Sequence, residues 1–191
     1  MILCMSIISR HPKIFNRVFI SIPNLHILSM GDVMKNSNWK VYVLGILITE
    51  AVGAFSAILS REGTKLFSEM VQQPALSPPE ILFPVVWGVL YALMGISAAR
   101  IYLSPPGRDR SKALNLYVIQ LVINFFWSLI FFNAQAYGFA FLWLLLLWGL
   151  VLKMILTFYK VDATAAYLQI PYLLWLTFAA YLSLGVWYLN L

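Results

Sequence analysis

Cysteine and histidine are nearly missing from this chain. Its single cysteine, Cys4, and its two histidines, His11 and His26, all fall within the first 26 residues. One thiol excludes an intramolecular disulfide and any cysteine-built metal cluster. With no histidine beyond residue 26, the rest of the chain offers no axial histidine for a haem, no Ser-His-Asp set and no imidazole acid–base chemistry. It has no glycine-rich phosphate loop either, so neither a metal nor another cofactor is expected. Charge is scarce as well: Asp, Glu, Lys and Arg make up 10% of the residues, against roughly 25% in an ordinary soluble domain. Self-similarity at a period of about 20–50 residues is lacking, as is any low-complexity tract, which argues against a repeat array or an inverted-repeat transporter.

Apolar and aromatic residues fill the space that charge leaves. The 191 residues are 62% hydrophobic and 16% aromatic, with a mean hydropathy of +0.83. Five apolar runs, 41–59, 81–103, 114–132, 137–159 and 165–189, are each long enough to cross a hydrocarbon core of about 30 Å, which takes about 20 helical residues. The reading is an all-α polytopic membrane protein, a bundle of five transmembrane helices. Pro171, inside the fifth run, removes a backbone donor and predicts a kink there. Glu50 is the only charge in the first run. Without a basic partner in the membrane, it reads as a protonated group hydrogen-bonded between helices rather than as a proton-coupling carboxylate.

Basic residues set the orientation. Arg10, Lys13, Arg17, Lys35, Lys40, Arg100, Arg108, Arg110, Lys112, Lys153 and Lys160 fall on one side of the membrane, and only Arg61 and Lys65 on the other. The positive-inside rule then places the N-terminal side in the cytoplasm, or its topological equivalent, and the C-terminus opposite. The net charge of +6 follows from this flanking pattern, so it does not call for a nucleic-acid partner. Residues 1–37 form an extension, basic and poor in acids before Asp32. Two readings stand for it: a targeting segment, or a start assigned upstream of a true start at Met30 or Met34. Residues 38–191 are the membrane domain.

Polar groups inside membrane spans usually face the bundle or a cavity. Gln120, Asn124 and Trp127 are spaced four and three apart, on one face of the third helix. Trp87 and Tyr91 lie four apart on the second; Tyr172, Trp175 and Ala179 follow the Pro171 position on the fifth. At 1.5 Å per residue, Trp87 lies about 9 Å, and Tyr91 about 15 Å, inside the end of its span; Asn124 and Trp175 lie about 15 Å from the opposite edge of theirs. That is too deep for an interfacial aromatic belt. Aromatic walls with a few polar groups at one level suit a flat, mostly apolar ligand. The connection 60–80 ends in Pro74, Leu76, Pro78 and Pro79, a stretch that cannot be regular helix. It reads as a stiff lid over the cavity mouth, or as a plain connector.

These residues form recognisable motifs. Pro74-Ala-Leu-Ser-Pro-Pro79 precedes Phe83-Pro-Val-Val-Trp-Gly-Val-Leu-Tyr91. Gln120-Leu-Val-Ile-Asn-Phe-Phe-Trp127 is followed by Phe131-Phe132, and Pro171-Tyr-Leu-Leu-Trp175 by Phe178-Ala-Ala-Tyr-Leu182. In order and spacing, residues 38–190 closely resemble the TspO/MBR family, the tryptophan-rich sensory proteins and mitochondrial translocator (peripheral benzodiazepine receptor) proteins. The resemblance implies a five-helix bundle, commonly dimeric, that binds tetrapyrroles such as protoporphyrin IX, and in eukaryotes cholesterol and benzodiazepine-type drugs. It matches Trp87 and Trp175 to the pocket tryptophans, which are implicated in light-dependent porphyrin breakdown in some bacterial members. It matches Asn124 and Trp127 to ligand-contacting positions.

Departures from the family are also legible. Residues 182–191 contain no Lys or Arg, so the cholesterol motif of the mitochondrial proteins fails and sterol binding is not expected. Ser183 stands where the family often has Asn, Leu76 where a lid Trp is usual, and Phe139 where Trp is frequent. The expected function is a tetrapyrrole-binding membrane receptor or sensor, with light- and oxygen-dependent porphyrin degradation through Trp87 and Trp175 as the alternative. The expected partners are the porphyrin, the bilayer of a bacterial inner membrane or an organelle, and a second copy of the chain. Gly88 with Ala92, and Gly95 with Ala99, could pack against that second copy or within the chain.

Overall fold

The structure is a computed structural model that describes residues 38–191. The extension 1–37, with Cys4, both histidines and the expected targeting segment or displaced start, lies outside the described residues. Seven α-helices follow in order: α1 (Trp39–Leu59), α2 (Arg61–Met70), α3 (Leu82–Leu103), α4 (Arg108–Ser128), α5 (Tyr137–Tyr159), α6 (Ala163–Tyr167) and α7 (Ile170–Leu189). A π-helical turn, Leu129–Asn133, extends α4. Five stretches are long and apolar enough to cross a membrane: Trp39–Leu59, Leu82–Leu103, Arg108–Asn133, Tyr137–Tyr159 and Ala163–Leu189. The third starts earlier than its apolar run, because the polar segment from Arg108 continues the same helix.

The fifth span differs from expectation. Pro171 does not kink a continuous helix; the span is two helices. Asp162 caps α6, its Oδ1 accepting the Ala165 N–H at 2.9 Å. That helix ends at Tyr167, and α7 restarts with Pro171 in its first turn, where a missing N–H costs no intrahelical bond.

Helix α1 lies along α3 and touches α4; α4 runs beside α5, and α5 beside α7. The α1–α3 seam is the tightest, because Gly45 and Gly95 bring the two backbones together: a Cβ added to Gly95 would sit 2.6 Å from Gly45 carbonyl atoms. Gly95 is therefore used within the chain, whereas Gly88 has nothing within 4 Å of an added Cβ. Indole donors fix the α4–α5–α7 layer. Trp143 Nε1–H donates to the Ile123 carbonyl and Trp148 Nε1–H to Thr177 Oγ1, both at 2.9 Å.

The core is built from Met94, Ile101, Leu144, Leu147, Met154, Phe158, Tyr172 and Leu176, all fully buried. The opposite surface is just as apolar: Leu47, Ile58, Leu142 and Leu174 are more than half exposed. In water such a surface would drive aggregation, whereas in hydrocarbon it is required. The chain is an integral, multi-pass membrane protein.

Candidate ligand site

Four spans supply one buried polar and aromatic cluster. Gly53 of α1 leaves space that the Tyr91 ring occupies, and any Cβ at position 53 would overlap that ring. Thr49, one turn away, lies with Oγ1 2.9 Å from the Tyr91 carbonyl. Trp87 inclines over Tyr91, ring centroids 5.3 Å apart, and meets Tyr172 edge-on at 6.1 Å. The Tyr172 hydroxyl donates to Gln120 Oε1 at 3.2 Å, and the Asn124 amide lies beside the Tyr91 and Tyr172 hydroxyls. Trp87, Tyr91, Gln120, Asn124 and Tyr172 are thus brought together.

The cluster is not fully satisfied. Gln120 Nε2 and Asn124 Nδ2 are enclosed and have no hydrogen-bond partner. A buried amide donor left unpaired costs about 1–3 kcal/mol. Both lie in packed interior, Gln120 at 0% and Asn124 at 2% exposure. Gln169 and Ser183, on the inward side of the fifth span, also hold unpartnered polar atoms.

Trp175 and Trp127 point elsewhere. Trp175 packs against Phe83 (5.9 Å) and Phe178 (5.6 Å) and lines an apolar groove between α3 and α7, with Val86, Leu90 and Pro171. The groove holds about 600 Å³ and opens sideways, since Val89 and Leu174 on its rim are 57% and 65% exposed. Trp127 stacks on Phe131 at 5.0 Å and donates its indole N–H to the Ala140 carbonyl at 3.2 Å. No two of these three indoles are in ring contact among the described residues. Ala179 is half-buried beside the core. Glu50, expected to bond between helices, is half-buried and makes no hydrogen bond to another described residue.

Thr49 escapes the sequence reading, and Phe83 and Phe178 stand there only within motifs, not as site residues. Thr49 is a small hydroxyl in an unremarkable apolar run, and only the α1–α3 register reveals its partner. Phe178 had a signal, standing three residues beyond Trp175 on the same helical face.

The 60–80 connection contains a helix as well as the proline turn. Phe67 of α2 sits among Phe131, Phe132 and Tyr137, at 5.3, 5.4 and 6.4 Å. The proline segment then reaches the end of α7, where Pro74 lies against Gly185. Leu76 is 66% exposed, whereas Pro78 is half-buried and Pro79 exposed.

Five spans enclosing an aromatic, amide-bearing interior define a small polytopic membrane protein. The chain belongs to the TspO/MBR family, whose profile matches residues 45–189. It is 35% identical over 139 residues to Protein CrtK of Rhodobacter capsulatus, covering 72% of this chain and 85% of that protein. Over 151 residues it is 33% identical to the human Translocator protein, covering 77% and 89%. It is 30% identical over 141 residues to the Tryptophan-rich protein TspO of Chlorobaculum tepidum, covering 73% and 89%.

Proposed function

We propose that this protein is a membrane receptor or sensor that binds a planar tetrapyrrole of the protoporphyrin IX type between α3, α4 and α7. One observation carries the reading: Trp87 inclines over Tyr91 and meets Tyr172 edge-on beside Gln120 and Asn124, whose amide NH2 groups are unpartnered. The rings supply flat apolar walls, each aromatic stack contributing about 0.5–1.5 kcal/mol beyond burial. The amide donors fix the ligand's polar edge. Trp175 on the lateral groove and Trp127 against Phe131, with Ala179 beside the core, flank this cluster rather than stack on its rings. Membership of a family that includes tryptophan-rich sensory and translocator proteins supports a receptor role over catalysis. The basic end faces the cytoplasm or its equivalent, in a bacterial inner membrane or an organelle, and a second copy packs on the open Gly88 face.

Titrating purified protein with protoporphyrin IX should quench tryptophan fluorescence and shift the porphyrin absorption band. The Trp87→Phe, Trp175→Phe double variant should bind more weakly by the absorption readout. Wild-type affinity in that variant would place the site elsewhere.

A further inference from the structure

Helix α5 carries two lysines on the face it turns to hydrocarbon. Lys153 and Lys160 are seven residues apart, which returns a helix to within about 20° of the same direction, and both are exposed. Leu142, Leu146 and Leu156 share that face and are 59%, 51% and 60% exposed. The other side of α5 is the core side, with Leu144, Leu147, Val151, Met154 and Phe158 buried.

Depth separates the two lysines. Tyr159 and Tyr167 are both more than half exposed, with ring centroids 6.0 Å apart, and mark the headgroup level as interfacial aromatics do. Lys160, the C-cap of α5, stands at that level. Lys153 comes six residues before Tyr159, about 9 Å deeper at 1.5 Å per residue, within hydrocarbon. Its four-carbon stem crosses apolar surface and carries the ammonium toward the interface. Thr157 Oγ1 donates to the Lys153 carbonyl at 2.8 Å, which keeps the turn between the two lysines closed.

Neither ammonium has an acid to meet. Helix α5 contains no Asp or Glu, and among the described residues the one ion pair joins Arg100 to Asp162. A cation set that deep is costly without a counter-charge, and on this face only the bilayer can supply one. A phospholipid brings its phosphate to the headgroup layer and lays its acyl chains along the leucines below. Gly149, one turn deeper than Lys153, leaves that surface flat, since a Cβ there would meet nothing within 4 Å.

We infer that Lys153 and Lys160 form a binding site for an anionic phospholipid on the outer face of α5. The phosphate bridges the two ammonium groups, and one acyl chain follows Leu156 and Gly149 toward the midplane. Two cations against one phosphodiester favour a headgroup that has no amine of its own. The site is independent of the tetrapyrrole site proposed above. It also differs from the general excess of positive charge at this end. A diffuse surface potential acts alike on Arg108, Arg110, Lys112 and Lys160, whereas this site depends on Lys153, which lies below the headgroup layer.

In phosphatidylcholine nanodiscs doped with phosphatidylglycerol, native mass spectrometry reads which lipid stays on the full-length protein. The wild type should retain phosphatidylglycerol over phosphatidylcholine. Lys153→Gln and Lys160→Gln should each lower that preference about fivefold, the share of one cation near the surface, and Lys153→Arg should keep it. Lys153→Gln should melt no lower than wild type in phosphatidylcholine alone, because it removes a charge from hydrocarbon. Lys112→Gln, on α4 at the same end, should change the preference by less than about twofold. An equal fall in Lys112→Gln would reduce the effect to the leaflet's general potential and overturn the site. An unchanged preference in Lys153→Gln would overturn it too. In detergent, inorganic phosphate should leave Tm unchanged; stabilisation by phosphate that vanishes in Lys153→Gln would assign the lysines to a free anion instead of a lipid. Loss of a dimer in Lys153→Gln with lipid preference intact would put a second copy on this face and remove the lipid from it.

Discussion

Gly45 and Gly95 touch backbone to backbone across the seam between α1 and α3. A Cβ on Gly45 would stand 2.6 Å from the Gly95 carbonyl oxygen, and one on Gly95 would meet Gly45 and the Ile46 Cα at 2.6 Å. Backbone cannot yield as a side chain can, so Gly95→Ala must spread the two helices. That spread also pulls Thr49 from the Tyr91 carbonyl and loosens the ring lodged on Gly53. The expected cost is about 1–3 kcal/mol, seen as a lower Tm in detergent that does not depend on protein concentration. Gly149, with nothing within 4 Å of an added Cβ, is the control: Gly149→Ala should leave Tm unchanged or raise it slightly, by about 0.5–1 kcal/mol of helix propensity. A concentration-dependent loss for Gly95→Ala would instead assign this glycine to a contact between two copies.

The same seam shows what the sequence could and could not convey. Five apolar runs announced the spans because hydrocarbon thickness sets their length, and the 137–159 run matches α5 end to end. The motif tryptophans were legible as residues, but not their directions. An i, i+4 spacing puts Trp87 and Tyr91 on one face, and that pair does meet. Whether Trp127 turns toward Trp87 or toward Ala140 depends on the α4–α5 register and on a carbonyl one helix away, which no local pattern encodes. The break before α7 was hidden for a similar reason. Pro171 is equally compatible with a kink or with a new first turn, and the Asp162 cap and Gln169 turn decided between them.

The buried amides make separable predictions. Gln120 Nε2 and Asn124 Nδ2 lie beside the proposed ligand, whereas Gln169, fully buried with neither side-chain polar atom paired, belongs to the turn before α7. Replacing an unpaired buried amide with an apolar group of similar shape is neutral or stabilising. Gln169→Met should therefore raise stability by about 1 kcal/mol and leave protoporphyrin IX affinity unchanged. Asn124→Leu should also fold at least as well as wild type, but weaken binding by about tenfold, through loss of a donor to the ligand. Thermal melts and absorption titrations on the two variants read both effects. Equal affinity in Asn124→Leu and wild type would remove this amide from the ligand's polar edge.

At the basic end one ion pair joins α3 to the start of the fifth span. Arg100 approaches Asp162 with Nη2 2.8 Å and Nε 3.1 Å from the same oxygen, Oδ2, while Oδ1 caps α6. Ser97 Oγ donates to the Ala165 carbonyl at 2.7 Å just beside it. With the side chains only 15% and 19% exposed, this pair is screened less than a surface bridge and acts as the clasp that sets where α6 begins. Asp162→Ala removes the counter-ion and the cap together, and should cost about 2–4 kcal/mol. Asp162→Asn keeps the cap and loses the charge, so its cost should fall between Asp162→Ala and wild type. Arg100→Met in the Asp162→Asn background should then recover part of the loss, because it removes the charge left unpaired. Additive losses in that double-mutant cycle would mean that the two groups do not interact energetically, and that the start of the fifth span is held by the cap and Ser97 alone.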